Sequence, residues 1–341
     1  MLRKGIGEME AEKILEVKDL HVAFRFQDKY YDAVDGVDFT LKRNEIFAIV
    51  GESGCGKSTI VNSIVGLHDK NFTRVSGEII YDNANIANYS EEEFNKIRGR
   101  HIGFIFQDPL ASLNPLHKIG KQIEEPLIYH TDLDKNQREE RVLELLNQVG
   151  INNPKRVVNQ FPHELSGGMR QRVLIAIALS CKPNIIIADE PTTALDVTIQ
   201  AQILDLLTDL QKEIDAGIIL ITHDLGVVAQ MADRVAVMYA GQFVEVANAE
   251  ELFDNPLHPY TRSLLQSIPQ SDSLGKDLHV IRGMVPSLRN LPRKGCRFAP
   301  RIQWIPESEH EENPELREVS KGHFVRCTCW KNFHFEDEGG N

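Results

Sequence analysis

Apolar positions along the chain fall into short runs of two kinds. Glu45 to Val50, Ile185 to Ala188 and Ile218 to Ile221 are almost wholly apolar between polar or glycine flanks, the pattern of strands buried on both faces. Ile14 to Phe26 and Val34 to Leu41 read as two further strands, and Val235 to Val246 as a hairpin turning at Ala240-Gly241. Helical spacing covers Lys57 to Leu67 and Arg138 to Val149, where Val142, Leu145, Leu146 and Val149 share one face and Gly150 and Pro154 close the segment. It returns from about Gly167 through Val173 to Leu179, and again to about Ile214 in a helix that Asp196 can cap. Buried strands alternating with helices predict an α/β domain with a largely parallel sheet. No segment between Gln107 and Cys181 reads as a strand, which predicts a helical subdomain over about 107–181 inserted in the core. After about Asn255 the pattern weakens, and prolines gather at 256, 259, 269, 286, 292, 300, 306 and 314. The expected division is a main domain over 14–254 and a separate C-terminal extension over 255–341.

Composition narrows what such a domain can do. A chain of 341 residues, 42% hydrophobic, has material for one large core and a smaller appendage. The formal net charge of −12 excludes a general binder of nucleic-acid backbones. The longest unbroken apolar run, Val173 to Leu179, is far too short to span a bilayer. The charged stretch Met1 to Lys13 has no apolar region of a secretory signal, so a cytoplasmic location is expected. An odd set of five cysteines, Cys55, Cys181, Cys296, Cys327 and Cys329, argues for reduced thiols.

The chemistry sits where strands meet helices. Gly51-Glu52-Ser53-Gly54-Cys55-Gly56-Lys57-Ser58-Thr59 has the spacing of a phosphate-binding loop, with a strand before it and a helix after it. Its glycines let backbone N–H groups turn toward phosphates at the positive end of the helix. Lys57 supplies charge for the β and γ phosphates, and Ser58 a hydroxyl for magnesium. The strand Ile185 to Ala188 delivers Asp189, a magnesium holder acting mainly through water, and then Glu190, placed to polarise an attacking water.

Leu165-Ser166-Gly167-Gly168-Met169-Arg170-Gln171-Arg172, just ahead of the acidic strand, resembles the signature motif of ABC ATPases. Met169 replaces the family's usual Gln there, while Ser166, Gly167 and Gly168 are intact. The resemblance implies an α/β, ABC-type P-loop NTPase. Such a fold has an N-terminal antiparallel β part, a parallel-sheet core, an inserted helical subdomain and a small C-terminal extension. It implies ATP and Mg2+ as ligands, and a head-to-tail pair of subunits in which the signature motif meets the γ phosphate held by the partner. Gln107, in Phe106-Gln107-Asp108-Pro109, resembles the Q-loop glutamine, which links magnesium and water to the membrane partner. Ala194-Leu195-Asp196 resembles the D-loop at the dimer interface, and His223 the switch histidine that senses the γ phosphate. By register Phe24 is favoured as the adenine platform; Phe26, Tyr30 and Tyr31 are also available.

Three segments resemble the oligopeptide and dipeptide importers of that family, and within them the first ATPase subunit of an oligopeptide permease. They are Phe106 to Pro115, Asn255 to Thr261 followed by Leu264-Leu265, and Gly283 to Leu288. The resemblance implies a homologous second ATPase, two transmembrane permease subunits and an extracellular peptide receptor as partners. It places this chain peripherally on the cytoplasmic face of a bacterial membrane. Dipeptides, nickel chelates or sugars are the alternative cargoes, and a soluble, non-transport ABC ATPase the distant alternative. Related subunits hold an iron–sulfur cluster through four cysteines in the extension. Here the second and third positions are Ile302 and Glu309, so a cluster is not expected. Cys296, Cys327 and Cys329 could instead hold zinc with His323, or be inert thiols of a decayed site.

Overall fold

The computed structural model describes residues 12–193, 195–267 and 283–336. Ala194 of the D-loop triplet, Met1 to Ala11 and Pro269 lie outside them.

The chain begins with the hairpin β1 (Lys13–Phe26) and β2 (Lys29–Lys42), then β3 (Ile46–Val50), α1 (Lys57–Ile64), β4 (Thr73–Tyr81), β5 (Ala84–Asn85), α2 (Glu91–Ile97) and β6 (Ile102–Ile105). A helical stretch follows: α3 (Pro109–Ser112), α4 (Ile119–His130), α5 (Lys135–Gln148), α6 (Pro154–Val157) and α7 (Gly167–Leu179). The core resumes with β7 (Ile185–Asp189), α8 (Val197–Ile214), β8 (Gly217–Thr222), α9 (Leu225–Met231), β9 (Arg234–Tyr239) and β10 (Gln242–Asn248). After α10 (Ala249–Asp254) and α11 (Pro259–Gln266), the extension adds β11 (Leu316–Ser320) and β12 (His323–Arg326).

These elements form two sheets, of order β2-β1-β4-β5 and β11-β12-β10-β9-β3-β8-β7-β6. The first is antiparallel. In the second, β9, β3, β8, β7 and β6 run parallel and β10, β12 and β11 antiparallel. β3, β7 and β8 are buried at every position, as their unbroken apolar runs require. One face of the large sheet packs on the antiparallel sheet through Leu20, Phe39, Phe47 and Ile219; the other packs on the helices through Val173, Leu207 and Leu220. Sheets on one side and helices on the other leave the strand ends open, where ligand sites of parallel sheets form.

Several predicted boundaries move, each for a local reason. β2 runs from Lys29, because Tyr30 and Tyr31 pair with Arg25 and Phe24 across the hairpin. α1 stops three residues short, where the Arg98 guanidinium binds the carbonyls of Val65 and Gly66. α5 starts at Lys135, since Asp134 and Gln137 form a reciprocal capping box. Between β6 and β7 the described chain contains helices and no strand, as the insertion predicted.

The extension is tied to the core sheet rather than loosely appended. β12 pairs with β10. The Glu245 carboxylate of β10, fully buried, accepts from the N–H groups of Leu257 and His258 and lies 2.7 Å from His323 Nε2. A buried carboxylate this well supplied with donors is costly to leave with any one missing.

Candidate functional site

The loop after β3 closes against β9 and the β9–β10 turn. A Cβ at Gly51, φ +153°, would meet the Met238 carbonyl oxygen at 2.2 Å; one at Gly56, φ +113°, would meet that of Ala33 at 2.8 Å. Neither position can hold a side chain without moving backbone, so the two glycines fix the loop's curvature. Lys57 is buried, its Nζ donating to the carbonyls of Gly51 at 2.7 Å and Glu52 at 3.1 Å. An ammonium held inside a loop of backbone N–H groups presents concentrated positive charge to an anion.

The acidic strand end lies beside it. Ser58 Oγ donates to Asp189 Oδ1 at 3.1 Å. Burial pushes the Asp189 carboxyl above its ordinary range; Glu190 pushes the same way, against the Ser58 bond. Hard oxygen donors converging on a carboxylate short of positive charge fit Mg2+. Glu190 takes a left-handed backbone, φ +48°, uncommon for a non-glycine residue and often seen at functional turns. Its Oε2 accepts from Gln107 Nε2 at 2.9 Å and Thr193 Oγ1 at 2.8 Å, and its Oε1 lies 3.4 Å from His223 Nδ1. Residues far apart in sequence, 107, 190 and 223, thus meet on one carboxylate.

A cleft of about 340 Å³ runs over the loop, lined by residues 53–59, Gln107, Glu190, Phe24, the β9–β10 turn, and Val285, Pro286, Leu288 and Leu291 of the extension. Of the four aromatic candidates only Phe24 lines it. Phe26 is covered by the Arg289 guanidinium and Tyr30 by that of Arg74, while Tyr31 sits edge-on to Phe26. The extension wall is a part of the site that sequence reasoning misses. Its segment shows in sequence only as a family mark.

The signature residues are not in that lining. Ser166 caps α7, accepting from the Met169 N–H at 3.3 Å. Gly167 lies beside Leu195 and Gly168 against Ile199. Asp196 is spent at home as the cap of α8, accepting from the Ile199 N–H at 3.0 Å. A second helix N-terminus able to hold an anion, set outside the cleft, is left for a ligand bound elsewhere.

The phosphate loop is braced from behind by the extension. The Glu52 N–H donates to Tyr260 Oη at 2.8 Å, and the buried Arg301 guanidinium grips the Glu52 carboxylate at 2.6 and 3.3 Å. Arg301 also lies over the rings of Tyr239 and Phe298. Ile302, at the second position of the four-cysteine pattern, is buried in the apolar core, and the Glu309 carboxylate accepts from Asn332. The described residues therefore do not offer the four thiolates of a cluster. The zinc expectation changes in one ligand. His323, expected as the fourth, is buried with its ring nitrogens on Glu245 and Glu251, away from the thiols.

Comparisons agree with this geometry. The ABC transporter family profile matches residues 34–193, and that of the oligopeptide/dipeptide transporter C-terminal region matches residues 244–303. The chain is 55% identical to the oligopeptide transport ATP-binding protein OppD of Lactococcus lactis subsp. cremoris SK11, over 97% of this chain and 98% of that one. It is 51% identical to OppD of Bacillus subtilis 168, over 92% and 88%. It is 50% identical to the dipeptide transport ATP-binding protein DppD of Lactococcus lactis subsp. cremoris MG1363, over 93% and 91%. Among solved structures, the ADP- and phosphate-bound dimer of the ATP-binding cassette MJ0796 superposes with a TM-score of 0.62 at 32% identity, covering 69% of this chain and 99% of that one.

Proposed function

The chain belongs to the ATP-binding subunits of ABC transporters, of the oligopeptide type, and from that premise we propose how its residues drive import. It is the ATPase subunit of an oligopeptide importer; the near full-length identity to OppD proteins, with both family regions in order, carries that assignment. It associates with permease components at a membrane, and no helix among the described residues is long and apolar enough to cross one.

Within that role, ATP lies in the cleft with its phosphates against residues 51–59 and its adenine on Phe24. Ser58, Asp189 and Gln107 hold Mg2+, which when bound neutralises charge on the β and γ phosphates. Glu190 orients and polarises the attacking water, with His223 and Gln107 beside it. Ser166, Gly167 and Gly168 meet the γ phosphate held by a second, homologous ATPase subunit. That arrangement is supported by their position outside this chain's own cleft and by the dimeric form of the MJ0796 cassette. Closure of the pair around two nucleotides moves two permease subunits, fed by an extracellular peptide receptor, from the cytoplasmic face of the membrane. Catalysis here is positioning and charge stabilisation.

The assembled complex in lipid tests the cargo. ATP hydrolysis stimulated by peptide-loaded receptor is expected; hydrolysis indifferent to peptide, or raised by a nickel chelate or sugar in its place, overturns the oligopeptide reading. A second measurement tests the base platform. Stacking on an aromatic ring contributes about 1–3 kcal/mol per base. Phe24→Ala should therefore raise the Kd for ATP about five- to a hundredfold by the same stacking estimate and leave that for inorganic triphosphate unchanged. An equal loss for both ligands would place the adenine elsewhere.

A further inference from the structure

The extension contains a second group of chemistry-bearing side chains, away from the nucleotide. Cys296, His310, Cys327 and Cys329 bring one ligand atom each to within 4.8 Å of one another. We propose that these four residues form a structural zinc site of Cys3His type, in the place where related chains are expected to hold a cluster through four cysteines.

The donor set decides the metal. Three thiolates and one imidazole are a closed tetrahedral set for Zn2+, with Zn–S near 2.3 Å and thus S···S near about 3.8 Å. A spread bounded by 4.8 Å closes to that by small side-chain rotations. An iron–sulfur cluster would need a fourth thiolate, and Ile302 and Glu309 supply none.

Independent observations point to a ligand between them. His310 Nδ1 is buried and has no hydrogen-bond partner among the described residues, which an imidazole nitrogen avoids unless something binds it. The three cysteines are buried, and the Glu311 N–H donates to Cys327 Sγ at 3.5 Å, as outer-shell amides do toward metal-bound sulfur. Contacts from the Cys296 and Cys329 thiols hold Cys327 well below its ordinary value, while the Cys327 contact helps push Cys296 up to about 12. A thiolate is thus already favoured in the group, and a dication would draw out the other two protons.

The site also has a task. Cys327 and Cys329 follow β12, which is paired to the core sheet, and Cys296 precedes Arg301, which grips Glu52 of the phosphate loop. A metal joining them would fix the segment that carries the brace.

The test is metal analysis of the full-length chain, purified without added metal, followed by exchange with Co2+. One zinc per chain is expected. Its cobalt form should show thiolate-to-cobalt charge transfer and the strong visible bands of a tetrahedral site. Cys329→Ser and His310→Ala should each weaken zinc binding by more than the roughly 10- to 100-fold that loss of an outer-shell partner costs, and Cys181→Ser should not. Four findings would overturn the site. These are iron with sulfide in place of zinc, zinc content untouched by both ligand substitutions, a disulfide among the three cysteines, or thiols equally reactive with and without Zn2+. Should the substituted chains fail to fold, the cobalt spectrum of the unaltered chain decides.

Discussion

Glu190→Gln leaves ATP binding by the purified chain close to that of the unaltered protein and lowers hydrolysis by the assembled transporter on the order of a hundredfold or more. The contacts of Glu190 explain why the two effects separate. Oε2 accepts from Gln107 and Thr193, while Oε1 faces His223. A glutamine can keep its carbonyl oxygen toward the first two donors and turn its amide toward the histidine. The side chain stays in place and the phosphate loop is untouched, but no carboxylate remains to draw a proton from water. Asp189 would retain its bond from Ser58, so the magnesium position is preserved too. Equilibrium binding of ATP and phosphate release in lipid-embedded complex are the paired measurements. Turnover at the unaltered rate would remove Glu190 from the role of base and shift attention to His223 and Gln107.

How far this site can be read from sequence depends on chain distance. The phosphate loop is nine consecutive residues between a buried strand and a helix, and Asp189-Glu190 end another buried strand. Their contexts are therefore visible locally, as are Ser166 and Asp196 as helix caps. β4 and β6 are not. β4 carries Gly77 with φ +98° amid mixed polar positions, and β6 is four residues including a glycine, too short for a period to register. α4 escapes because Pro126 lies inside it, although Ile119, Ile123 and Leu127 recur at helical spacing and are buried. The wall of the cleft from Val285 to Leu291 and the choice of His310 over His323 depend on how a proline-rich segment folds back on the core. No periodicity reports such long-range pairing. His323 has the more suggestive place in sequence, four residues before Cys327, yet β12 points it at Glu245.

The same fold-back predicts that the extension controls nucleotide affinity. Arg301 and Glu52 are 249 residues apart and meet directly behind the phosphates. With the guanidinium in place, the Glu52 charge is neutralised and its backbone N–H is held by Tyr260. Arg301→Ala removes the counter-charge but not the acid, leaving an anion beside the triphosphate. Glu52 is only partly exposed, with 29% of its side chain in solvent against 5% for Arg301, so water cannot replace the lost partner fully. A hydrogen-bonded charge of this kind contributes about 1.5–3 kcal/mol, which is roughly 10- to 150-fold in affinity. Arg301→Ala is therefore expected to raise the Kd for ATP by that range. Glu52→Gln in the same chain should recover most of the loss, because the repelling charge is then gone. That rescue separates an electrostatic role from a packing one: Arg301 also covers Tyr239 and Phe298, and a defect arising from those rings would persist in the double variant. Titration calorimetry with ATP on the two single variants and the double gives the coupling directly. Additive effects would mean that the extension supports the loop by shape alone, and a coupling near the full size of the Arg301→Ala loss would make the nucleotide site a joint product of the cassette and its extension.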